Sequence, residues 1–217
     1  MKKIVIIGAG GFGREVKTII DAINKVEKEY TFLGYYDDGI KKGSIINNYP
    51  VLGNLEDLKE VNQEIFVLIG IANPVIKCKI AKSLVSYKNF FFPTIIHPSV
   101  QVSDDDVFIS HGCIICAGTI ITTNIKIGSF VILCSLCTVG HDSIIDDFSS
   151  IMPSVNISGE VCIGEKVYVG TGVKVVNRIT IGTATIIGAG AVVSKNVPNY
   201  CTAVGVPARP IKFIINE

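Results

Sequence analysis

From Phe108 the chain can be written in sixes: FISHGC, IICAGT, IITTNI, KIGSFV, ILCSLC, TVGHDS, IIDDFS, SIMPSV, NISGEV, CIGEKV, YVGTGV, KVVNRI, TIGTAT, IIGAGA, VVSKNV. The second place is filled by Ile109, Ile115, Ile121, Ile127, Leu133, Val139, Ile145, Ile151, Ile157, Ile163, Val169, Val175, Ile181, Ile187 and Val193. About a third of the chain is Ile, Leu or Val, so an unbroken run of this length has a chance probability on the order of 10^-7. A six-residue period predicts a parallel β-helix, in which each face of a three-sided coil takes one hexapeptide and the aliphatic side chain points to the axis. Eighteen residues then make a coil, and the run makes about five coils stacked over roughly 24 Å. Residues 96–107 are expected to add an irregular first coil. Gly128, Gly140, Gly164, Gly170, Gly182 and Gly188 follow the aliphatic place, and the pattern assigns them to corners where positive φ excludes larger residues.

The first 95 residues follow other periods. Lys3 to Ile7 predicts a strand, Gly8 to Gly13 a glycine loop, and Val16, Ile19, Ile20 and Ile23 the apolar face of a helix. Further strands are predicted at Phe32 to Tyr36 and Ile65 to Gly70, with helices at Leu55 to Val61 and from Asn73-Pro74 onward. This alternation predicts a small parallel α/β, Rossmann-like domain over 1–94, a β-helix over 95–197 and a tail over 198–217.

The 217 residues carry 20 Lys plus Arg against 19 Asp plus Glu, a formal charge of +1, which removes the electrostatic footprint of nucleic-acid binding. Mean hydropathy is high at +0.49, yet apolar runs such as Ile65 to Ala72 fall far short of the roughly 18 to 20 residues of a membrane span. No signal-peptide pattern is visible, so a cytoplasmic protein is expected. Seven cysteines are then expected as free thiols. Cys113-x-x-Cys116 and Cys134-x-x-Cys137 have zinc-site spacing. The hexapeptide register separates them, however: Cys116 and Cys134 stack one coil apart, whereas Cys113 and Cys137 fall on different faces. No metal is expected there, and the thiols read as small apolar fillers.

Three histidines are candidates for proton transfer near neutral pH. His97 precedes Pro98 at the junction and reads as structural. His111 and His141 share a place in their hexapeptides but lie on different faces. His141 is followed by Asp142, with Asp146 and Asp147 in the next six, carboxylates suited to orienting the ring. Successive side chains of a strand point to opposite sides, so pairing His141 with Asp142 requires a bent corner. Gly8-x-Gly10-x-x-Gly13, between a strand and a helix, is built like a phosphate cradle. Asp37 and Asp38 close the second strand where a ribose or sugar hydroxyl would be accepted. So short a domain supplies one mononucleotide-binding half, which favours a single nucleotide or nucleotide-linked ligand over a dinucleotide.

With IVIIGAGGFGREV at the start, TIIHPSV at the junction, GHDSIIDDF in the middle, TIGTATIIGAGAVV in the last coils and VGVPARPIK in the tail, the chain resembles the bacterial hexapeptide-repeat sugar acetyltransferases. These include sialic acid O-acetyltransferases and nucleotide-linked amino-sugar N-acetyltransferases of glycan biosynthesis. The resemblance implies a left-handed β-helix, a homotrimer, and acetyl-coenzyme A lying between neighbouring prisms as co-substrate. It implies His141 as general base and Asp142 as the acid that raises its basicity. The nucleotide sugar would touch Gly10, Gly11, Phe12, Asp37, Asp38 and Gly70, and acetyl-coenzyme A would pass Ser150, Thr171, Ala189 and Arg209. Relatives often carry His where Phe12 and Ser150 stand. N-acetylation of a nucleotide-linked amino sugar is the expected reaction. O-acetylation of a sialic acid or other sugar, a metal-dependent β-helix hydratase and a non-catalytic scaffold are the alternatives.

Overall fold

The computed structural model describes residues 1–213. It opens with β1 (Lys2–Ile7), α1 (Gly11–Val26), β2 (Tyr30–Tyr36), the hairpin β3 (Ile45–Ile46) and β4 (Tyr49–Gly53), α2 (Leu55–Lys59), β5 (Ile65–Ile69), α3 (Pro74–Leu84) and β6 (Phe90–Phe91). The sheet order is β3-β4-β2-β1-β5-β6, parallel except for the β3–β4 hairpin. Every predicted strand and helix of this region is present within a few residues. The hairpin is the element the periodicity did not show, because two-residue strands carry no period.

Short strands from β7 (Ile95–Ile96) to β23 (Val192–Val193) then wind into three parallel sheets. Register advances by 18 residues per coil, as in Ile114↔Ile132, Ile132↔Ser150 and Ser150↔Tyr168 on the first face. The aliphatic place is buried from Ile115 to Val193, and Ile109 packs against the same axial core at its end. The first coil is more regular than the sequence suggests: Ile95–Ile96 and Gln101–Val102 pair in register with the coil above. β24 (Cys201–Val204) extends the first face, and β25 (Arg209–Phe213) folds back antiparallel on it. The last four residues of the expected tail lie outside the described region.

The glycines that follow the aliphatic place are not the left-handed corners that the repeat suggests. Positive φ recurs every sixth residue, but at Gly112, Gly118, Asn124, Phe130, Leu136, Asp142 and onward, never at the glycines that follow the aliphatic place. Those are small for another reason: a Cβ at Gly170 would lie 2.6 Å from the Ala189 nitrogen, and at Gly164 2.8 Å from that of Thr183. They let one coil approach the next.

The first face is apolar on its outside as well. Ile114, Ile132, Cys116, Cys134 and Met152 pack against Ile4, Ile6, Val16, Ile19 and Ile20 of the α/β domain. Burying such aliphatic side chains contributes about 1.5–3 kcal/mol each, which fixes the domain on the lower coils. Cys113 and Cys137 point instead into the prism, where their thiols donate to Gly128 O and Met152 O. Burial pushes them up to about 11 and about 12. Cys134 is also raised, first by its hydrogen bond with Cys116 and then by burial.

Candidate active site

Between the second and third faces the chain turns through Gly140, His141, Asp142 and Ser143. Asp142 has φ +59, and this bend brings two adjacent side chains to the same side. His141 Nδ1 lies 2.7 Å from Asp142 Oδ2, with the two side chains 57% and 49% exposed. A carboxylate only accepts, so Nδ1 carries the hydrogen and Nε2 presents its lone pair. The Asp142 carboxyl is held below its usual range, first by His141 and then by Asn124, whose Nδ2 donates to Oδ1 at 3.0 Å. The ring rests on Gly159 of the next coil, where a Cβ would stand 2.8 Å from His141 Cδ2. The Gly159 N–H has no acceptor among the described residues. Asp146 and Asp147 do not join this corner; Asp147 Oδ1 accepts from Ser129 N–H at 2.6 Å. Sequence reasoning missed Asn124 and Gly159, although each lies one 18-residue step from the dyad.

The other histidines stand apart. His97 Nδ1 meets Ser99 Oγ at 2.8 Å and accepts from Ser99 N–H, closing a turn. His111 packs edge-on against Phe130. His97, His111 and His141 thus occupy three different corners of the prism.

The glycine loop divides into two kinds of position. Gly8 has φ +96, a Cβ at Gly13 would overlap Gly8 O, and one at Gly70 would lie 2.8 Å from Gly13 Cα. Gly70 is therefore a buried packing glycine, not an exposed contact. Gly10 and Gly11 border open space, and Gly10 caps α1 without any side-chain hydrogen bond, leaving the helix N-terminus free for an anion. Phe12 is half-buried and packs toward the domain interface. Asp37 fastens the loop, accepting from Ala9 N–H at 2.8 Å and Gly39 N–H at 2.9 Å. Asp38 accepts from Leu55 N–H at the start of α2.

Thr171 and Ala189 are exposed at the corner between the first and second faces, one coil apart, and Arg209 is exposed on β25. This corner differs from that of His141, so one prism does not bring the two groups together. Ser150 does not share the exposure of Thr171 and Ala189. It is fully buried beneath α3, its hydroxyl accepting from Lys77 Nζ at 2.8 Å while Ser149 O accepts at 3.2 Å. Desolvation lowers the Lys77 amine to about 7; a lysine within a helix pattern gave no sign of this in the sequence. A cavity of about 890 Å³ opens beside α3, between Pro74 and Val75, the first-face residues Tyr168 and Ile186, and Tyr200 at the adjoining corner.

A three-sided left-handed β-helix with an α/β domain on its first face and a His-Asp pair at a corner defines a hexapeptide-repeat acetyltransferase. The pattern of the PglD N-terminal domain matches residues 3–84. GDP-perosamine N-acetyltransferase of Escherichia coli O157:H7 is 34% identical over 213 residues, 95% of each chain. A variant of perosamine N-acetyltransferase from Caulobacter crescentus, solved with CoA and GDP-perosamine, superposes with a TM-score of 0.88 at 27% identity, covering 98% of both chains. The acetyltransferase domain of PglB from Neisseria gonorrhoeae, solved with acetyl coenzyme A, gives 0.86 at 31% identity, covering 97% of this chain and 99% of that one. The chain belongs to the nucleotide-linked amino-sugar acetyltransferase family.

Proposed function

We propose that this enzyme transfers the acetyl group of acetyl-coenzyme A to the amine of a nucleotide-linked amino sugar, with His141 as general base. The His141–Asp142 contact at 2.7 Å carries this reading, because it leaves Nε2 as the free acceptor at an exposed corner. The amine attacks the thioester carbonyl, a C–N bond forms, and the proton passes to Nε2. Collapse of the tetrahedral intermediate breaks the C–S bond, and the departing sulfur takes that proton. The unpaired Gly159 N–H is the donor for the oxyanion. Asp142, held ionised, fixes the tautomer and stabilises the imidazolium.

The phosphates of the sugar nucleotide lie at Gly10 and Gly11, with Asp38 toward base or ribose. The cavity beside α3 gives room for the glycosyl part. The division of labour is 1–94 for the nucleotide sugar, 95–197 for acetyl transfer and 198–217 for the cofactor's phosphates through Arg209. Thr171 and Ala189 line the thioester's path, and because they occupy another corner than His141, the complete site is assembled from two prisms of a trimer. Light scattering then gives three times 23.3 kDa. No helix among the described residues is long and apolar enough to cross a membrane, in keeping with work in the cytoplasm on soluble substrates.

Thiol release measured with a panel of nucleotide-linked amino sugars, GDP-perosamine among them, and with free amino sugars and sialic acid tests the substrate class. Turnover of a nucleotide-linked amine and none of the free sugars is expected. At Gly10 an added Cβ has nothing within 4 Å in the chain itself, so Gly10→Val raises KM for the sugar nucleotide and spares KM for acetyl-coenzyme A. Equal turnover of a bare sugar overturns the assignment.

A further inference from the structure

The corner that carries the His-Asp pair is a column. Asp106, Asn124, Asp142, Glu160 and Arg178 repeat at 18-residue steps, all with φ between +50 and +61, so each side chain projects directly above the last. Four of the five are charged, and Asn124 is the exception, set between two carboxylates. Glu160 is engaged by Arg178 Nε, 3.1 Å from both of its oxygens. Lys126 lines the hollow shared by Asp106, Asn124 and Asp142 without a hydrogen bond to that carboxylate. Among the described residues, Asn124 alone donates to Asp142 Oδ1.

We infer that Asn124 is a positioning residue for acetyl transfer: its amide pins one oxygen of Asp142 and thereby keeps the other on His141 Nδ1. This rests on His141 being the base. An exposed aspartate has no packing to hold its carboxylate, and rotation of that group into water leaves the imidazole free to turn. The amide donor prevents this without adding charge. A lysine or arginine in the same place would neutralise the carboxylate that must stabilise the imidazolium, and a carboxylate would repel it. Asparagine is also among the residues that accept the left-handed corner, so the same side chain satisfies backbone and site.

The test uses the full-length enzyme and the nucleotide-linked amino sugar that it turns over, comparing wild type, Asn124→Gly, Asn124→Asp and His141→Ala. Glycine suits φ +55, and aspartate keeps the shape while replacing the donor with a charge. Asn124→Gly is expected to lower kcat roughly 10-fold, within the about 10^2-fold that misplacing reacting groups causes, with both KM values unchanged. The acid limb of kcat/KM moves to lower pH in the Gly variant, where the imidazolium loses its carboxylate. It moves to higher pH in the Asp variant, where a second negative charge is added. Wild-type kcat with an unmoved acid limb in both variants, alongside an inactive His141→Ala, overturns the role of Asn124 and leaves the base assignment standing. A fully active His141→Ala overturns both.

Discussion

Left-handed backbone is distributed differently in the two halves of this molecule. In the α/β domain it occurs at Gly8, Gly34, Gly43 and Gly53, with Asn47 and Asn48 at the hairpin turn. In the prism it recurs every sixth residue, at Phe130, Leu136, Phe148, Glu160, Lys166 and Arg178 as readily as at glycine. Such residues cost on the order of 1–2 kcal/mol each in that conformation. The prism offsets this by repetition, since each coil donates backbone hydrogen bonds to the next, as from Cys134 N–H to Ile151 O and from Met152 N–H to Val169 O. Corner positions therefore take polar, charged and aromatic side chains as well as glycine, and Asp142 is one of them. In the α/β domain each loop residue is tied to a local geometric need.

The sharpest break in this comparison falls between two glycines of one hexapeptide. Gly170→Val drives its side chain into the backbone of Ala189 and is expected to cost about 3 kcal/mol or more, read by urea denaturation. The interface between the halves gives the next effect. Lys77 has its folded pKa, about 7, below its unfolded value. Between these two values the unfolded state binds the extra proton, so stability rises with pH. From pH 7 to 8.5, wild type should gain about 1–2 kcal/mol relative to Lys77→Met, which lacks the amine. Equal slopes in denaturation curves across that range would remove the buried neutral lysine from the account. The smallest effect belongs to Gly172, with φ +73 and open space around its Cβ position. Gly172→Asn should change stability by less than about 1 kcal/mol, because the corner accepts side chains.

The β-helix was legible because one aliphatic place repeats without interruption, and the repeat also placed Cys113, Cys116, Cys134 and Cys137 correctly. The His141–Asp142 pair was legible as adjacency, although only the φ of Asp142 shows that adjacent side chains can meet. The corner positions were misassigned to the glycines after the aliphatic place, because glycine signals both left-handed φ and close backbone approach, and sequence does not separate the two. Asp37 and Asp38 were visible as strand-ending acids, but their bonds to Ala9, Gly39 and Leu55 depend on how the loops fold. The burial of Ser150 by Lys77 depends on the docking of two units with unrelated periods, which neither period encodes.

The central claim is that the His141 corner performs the transfer. Steady-state turnover of acetyl-coenzyme A and the preferred sugar nucleotide by His141→Ala tests it most directly. The account predicts a fall in kcat of about 10^2-fold or more with acetyl-coenzyme A binding nearly unchanged. Turnover at the wild-type rate would contradict it.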